Sequence, residues 1–65
     1  MNLYVYDVED YKVVVTIVGD DYEQALEKAA YMGFMGVDEY GISTNSSSLE
    51  FLKSSRTVYA GEDSQ

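Results

Sequence analysis

Two stretches rich in β-branched and aromatic residues open the chain, NLYVYDV at 2–8 and YKVVVTIV at 11–18, with the polar pair Glu9-Asp10 between them. Such runs favour extended backbone, and their closeness predicts a β-hairpin. Side chains alternate across a strand, so Leu3 and Val5 are expected on one face together with Val13, Val15 and Ile17. The other face then carries Tyr4, Tyr6, Lys12, Val14 and Thr16. The turn itself, Asp7-Val8-Glu9-Asp10, lacks the Asn-Gly or Asp-Gly pair of a tight two-residue turn, which leaves the register open by one residue.

At Gly19 the period changes from two to that of a helix. Asp20 is placed to cap, and Glu23 follows three residues later in the pattern of a capping box. Tyr22, Ala25, Leu26 and Ala29 recur at helical spacing, so one narrow face is expected to pack on the sheet while Glu23, Gln24, Glu27 and Lys28 point outward. Gly33 and Gly36 bracket Phe34 and Met35, which predicts a helix end near Gly33 and an apolar pair turning back onto the core.

Residues 40–44, YGIST, read as a short third strand, with Gly41 weakening it or marking a bulge. The run Asn45 to Ser48 reads as a loop. Two further apolar pieces follow, a turn or strand at 49–53 and a strand at 56–60, which supply a fourth strand. The expected architecture is α+β: a small antiparallel sheet, β-β-α-β with that fourth strand, covered on one face by a single helix. Residues 1–60 form one domain, and 61–65 read as a flexible acidic tail.

Composition sharpens this picture. A chain of 65 residues gains little from burial, yet it has no Cys and no His, so neither a disulfide nor the usual structural zinc can brace it. An apolar share of 46% with 14% aromatics still suffices for a packed fold rather than a disordered polyampholyte. The first 20 residues interleave apolar side chains with acids, so neither a signal peptide nor a membrane span is expected, and the cytosol is the expected compartment.

Charge narrows the function classes. Twelve acids against four bases give a net charge of −8, which repels nucleic acid and anionic membranes and attracts basic protein surfaces. Nine of those acids fall between residues 7 and 39, where the only bases are Lys12 and Lys28. Without His or Cys the common general bases and thiol nucleophiles are absent, and so small a domain has little interior in which to shift a carboxylate pKa, so catalysis is not expected. The clusters D-x-E-D at 7–10 and D-D-x-E at 20–23 lack the twelve-residue Ca²⁺ loop with its central Gly, so turn and cap chemistry accounts for them without a metal. Gly33-Phe34-Met35-Gly36 lacks the spacing and the Lys of a phosphate loop, and no cofactor is expected.

What remains is a binding surface. Glu23 and Glu27 stand about 6 Å apart along the helix axis, a like-charge pair that costs the helix a few tenths of a kcal/mol. Carboxylates at such intervals approach the charge spacing of a nucleic-acid backbone, about 3.4 Å per strand. The expected contact residues are Asp7, Glu9, Asp10, Asp20, Asp21, Glu23, Glu27, Asp38 and Glu39, with Tyr11, Tyr22 and Tyr40, beside Tyr6, supplying aromatic area.

The segment VTIVGDDYEQALEKAAYMGF, set in a small Cys-free acidic α+β chain, resembles the phage-encoded inhibitors known as anti-CRISPR proteins. The resemblance implies a DNA mimic, whose acids meet the Lys and Arg residues with which a CRISPR effector complex holds its target. The alternative expectation is a homodimeric assembly module, paired through the Tyr4, Tyr6 and Val14 face or through an edge strand, with an acidic exterior that only confers solubility.

Overall fold

The computed structural model describes residues 1–62. Strands β1 (Asn2–Asp7) and β2 (Lys12–Val18) form the predicted hairpin, helix α1 spans Tyr22–Tyr31, and strands β3 (Tyr40–Ser43) and β4 (Glu50–Tyr59) follow. A 3-10 turn, Ala60–Glu62, closes the described chain. The protein is α+β, one four-stranded sheet with a single helix packed on it. In the sheet the order is β3-β1-β2-β4. β1 runs antiparallel to both β2 and β3, while β4 runs parallel to β2, so the sheet is mixed rather than wholly antiparallel. Residues 44–49 carry the chain from one edge of the sheet to the other, and that crossover is what makes a parallel pair available.

The core lies between the hairpin and the helix. Leu3, Val5, Val15 and Ile17 are fully or almost fully buried, and they meet Ala25 and Ala29 of α1. The two alanines let the helix backbone approach the sheet closely, and the larger Leu26, Met32 and Phe34 seal the margin. Tyr22 does not share that face. It is 46% exposed, whereas Gln24 and Lys28, expected outward, are half-buried.

Alternation breaks once, at a β-bulge. Val5 pairs with Val15 but Tyr6 pairs with Val13, so Val14 is an extra residue on β2. Cross-strand partners share a face, which moves Val13 to the Tyr6 side, where it is nonetheless fully buried between its partners Tyr6 and Phe51. Val14 turns the other way and packs against the helix-side core. The face assignments of these two residues are therefore the reverse of simple alternation, because a slip of one residue exchanges the sides. β4 absorbs a matching irregularity: Val13 faces Phe51 and Val15 faces Arg56, so Leu52 to Ser55 stand opposite Val14 alone, and the two expected pieces are one continuous strand.

The helix ends follow local rules with small shifts. Asp21, not Asp20, is the N-cap, its side chain accepting the Gln24 N–H at 2.8 Å. The Gln24 side chain accepts the N–H of Asp20, the residue before the cap, at 2.6 Å, so Gln24 rather than Glu23 reaches back over the helix start. At the other end Gly33, at φ 88°, follows the C-cap Met32; its N–H donates to the Ala30 carbonyl, and Phe34 N–H donates to that of Ala29. This is a Schellman ending, and it drives Phe34 back onto the core as the apolar spacing predicts. Gly61 and Glu62, expected in a frayed tail, belong to the 3-10 turn that packs against α1. The remaining tail residues, 63–65, lie outside the described residues.

Candidate partner-binding site

The hairpin turn is a four-residue connection, Val8 to Tyr11, between the paired residues Asp7 and Lys12. Asp7 organises it twice. Its carboxylate Oδ1 accepts the Glu9 N–H at 2.8 Å, and its carbonyl accepts the Tyr11 N–H at 2.7 Å. Closing the turn puts Tyr11 at φ 56°, the left-handed region that glycine or asparagine ordinarily occupies. A tyrosine there costs about 1 kcal/mol, and the residue is 58% exposed. That ring is tilted over Tyr6, with centroids 5.8 Å apart. Tyr6 in turn lies across Gly41 of β3, where a Cβ would come within 2.4 Å of the Tyr6 Cζ. Gly41 is thus required by close approach, and Gly41, Tyr6 and Tyr11 form a continuous row.

The loop that follows α1 returns to this same end of the sheet. The Val8 N–H donates to the Glu39 carbonyl at 3.1 Å, which ties the hairpin turn to the start of β3. Asp7, Val8, Glu9, Asp38, Glu39 and Tyr40 together line an open cleft of about 320 Å³. Tyr40 is braced from behind by an edge-to-face contact with Phe34 at 5.1 Å. Glu50 joins this end as well: it pairs with Lys12, and its N–H donates to the Tyr11 carbonyl. Sequence reasoning missed Glu50, since only the parallel pairing of β4 with β2 brings it there.

Of the expected contact residues, Asp7, Glu9, Asp10, Tyr11, Asp38, Glu39 and Tyr40 gather at the hairpin end. Asp20, Asp21, Tyr22 and Glu23 sit at the opposite end of β2, roughly 20 Å away along a seven-residue strand. Glu27 lies between the two groups, one helical turn beyond Glu23. Glu23 and Glu27 flank a shallow depression with Leu26, Ala30 and Met35, Met35 being 40% exposed. The acids are therefore two groups, one at each end of β2, with Glu27 extending the helix-start group along α1. Of the four bases, Lys12 stands at the hairpin end between Asp7 and Glu50, Lys28 is on α1, and Lys53 and Arg56 are both exposed on β4, at the far edge of the sheet from β3.

Among the described residues no three carboxylates come close enough to hold a metal ion, and no helix is long and apolar enough to cross a membrane. Compared with known proteins, the chain matches no protein-family model, no curated protein and no solved structure.

Proposed function

We propose that this chain is a non-catalytic acidic binding protein that occupies a basic, nucleic-acid-binding surface of a larger complex. A CRISPR effector is the target that the anti-CRISPR resemblance implies. The observation that carries the reading is the convergence of Asp7, Glu9, Asp38 and Glu39, from two separate segments, around one open cleft. Their carboxylates give the cleft a negative lining that a cation-rich surface complements. Tyr11 adds an aromatic contact held in a strained backbone, as expected of a residue kept for a partner rather than for the turn. Exposed acids on an open cleft, in a chain with neither His nor Cys, favour binding over catalysis.

The test is capture of partners from bacterial lysate on tagged protein, at low and at high salt, with DNA added as competitor. Retention of a nucleic-acid-handling complex that is released by salt and displaced by DNA is the expected result. Capture indifferent to both salt and DNA sinks the mimic reading.

A second reading, self-association as an assembly module, draws on the sheet face away from the helix. Phe51 is 52% exposed there, in edge-to-face contact with Tyr4 at 5.9 Å. Its prediction is a dimer in solution that Phe51→Glu converts to monomer, measured by light scattering.

A further inference from the structure

The two edges of the sheet are unlike. β4, with ten residues, carries Lys53, Arg56 and a local irregularity, three features that discourage another strand from pairing with it. β3 carries no basic side chain and no irregularity, and its shortness alone limits what can pair with it. Its four residues, Tyr40-Gly41-Ile42-Ser43, have no charged side chain, and no strand lies beyond it among the described residues.

The ladder fixes which backbone groups of β3 are available. Val8 N–H donates to the Glu39 carbonyl, so that pair is hydrogen-bonded, and alternation along an antiparallel ladder makes Tyr6 with Gly41 and Tyr4 with Ser43 the next bonded pairs. The other side of β1 agrees. Met1 and Gly19 exchange bonds, which by the same alternation directs Leu3 and Val5 toward β2 and leaves Tyr4 and Tyr6 for β3. The N–H and C=O groups of Tyr40 and Ile42 consequently point away from the sheet. They form a short template for one more strand, and it begins beside Asp38 and Glu39 at the acidic cleft.

We propose that β3 receives an extended, Lys- or Arg-bearing segment of the partner as a fifth strand. The Tyr40 and Ile42 backbone groups would pair with it, and its basic side chains would reach Asp7, Glu9, Asp38 and Glu39. Charge complementarity selects this occupant. A second copy of the chain brings another −8 to the same edge, whereas a basic strand neutralises the acids beside its own binding line. This deepens the acidic-binding reading and rests on it: main-chain pairing supplies register, and the carboxylates supply selection by charge.

The probe is a short end-blocked peptide of alternating Lys and Val, titrated into the full chain and followed by amide NMR and hydrogen exchange at low salt. The Tyr40 and Ile42 amides are expected to shift and to gain protection, while those of Lys53 and Arg56 on the other edge stay unchanged. N-methylating the peptide on one edge of its backbone should weaken binding about tenfold or more, because charge is kept while the pairing is lost. Equal binding by the methylated peptide, with perturbation confined to the acidic side chains, overturns strand addition and leaves the acidic reading standing. No binding of either peptide overturns both. Protection of Tyr40 and Ile42 that rises with protein concentration in the absence of peptide assigns the edge to self-pairing and also overturns the proposal.

Discussion

The hairpin end of the sheet and the helix-start end are built from the same residue types, acids and tyrosines, yet the acids serve different purposes. At the helix start, Asp21 caps α1 and Gln24 holds the Asp20 N–H, so one carboxylate and one amide side chain work in ending one element and starting the next, while Asp20 and Glu23 stay exposed. At the hairpin end only Asp7 does comparable work, and Glu9, Asp38 and Glu39 remain to line an open cleft. An acid can be selected for the backbone it completes or for the surface it offers. Tyr11 is kept where its backbone is strained, at a turn where glycine would fit better.

The difference is most easily broken at the glycines. Gly41→Val puts a side chain into the Tyr6 ring and should cost about 2 kcal/mol, roughly 10 °C in Tm by calorimetry. Gly61→Val, near the helix start, meets nothing closer than the Gln24 side chain at 3.9 Å, and a stability change within about 0.5 kcal/mol is expected. Equal losses would mean that the Gly41, Tyr6 and Tyr11 row does not organise the hairpin end.

Next in size is the cap. Asp21→Ala should destabilise by about 1 kcal/mol in urea unfolding, because Gln24 N–H loses its acceptor. Asp20→Ala should cost much less, since only its backbone N–H is engaged. A larger loss from Asp20 than from Asp21 would reverse the assignment of the cap.

Strain at Tyr11 is separable from its ring contact by comparing two variants. Tyr11→Ala keeps the left-handed backbone penalty and loses the contact with Tyr6, whereas Tyr11→Gly loses both, so the glycine variant should be the more stable of the two by about 1 kcal/mol. Both variants should bind the target less tightly than the parent chain. Equal stability of the pair would show that the turn accommodates a side chain without strain.

The smallest effect on stability is expected from the acids of the cleft. Replacing Glu9, Asp38 and Glu39 together by Gln, Asn and Gln should alter unfolding by no more than about 0.5 kcal/mol per site in either direction. The same triple variant should flatten the salt dependence of target capture. A protein that unfolds on this change would make the cleft acids structural, and the hairpin end would then resemble the helix start.

The helix and the strands were legible because local pattern governs them, whereas the 3-10 turn Ala60–Glu62 was read as a strand end and a tail. β-branched runs became strands, the alanine-bearing period became the helix, and Gly33 ended that helix in a left-handed conformation. Charge was legible as well, being a property of composition. The faces of Val13 and Val14 were not, since a single extra residue in β2 reverses them and no local rule announces it. Nor was Tyr22 legible as an exposed residue, because helical spacing defines a stripe but not how wide a stripe the sheet covers.

By itself, then, the amino-acid sequence determined which segments are strands and which is the helix, where the helix ends, and the sign of the surface charge. All of these depend on neighbours a few residues apart. The tertiary structure decided what depends on distant segments meeting: the parallel pairing of β4 with β2, the arrival of Asp38 and Glu39 beside Asp7 and Glu9, and the division of the acids between two ends of the sheet. Strand order sets these neighbours, and it follows from which apolar faces find cover in three dimensions, a balance that no local window of sequence contains.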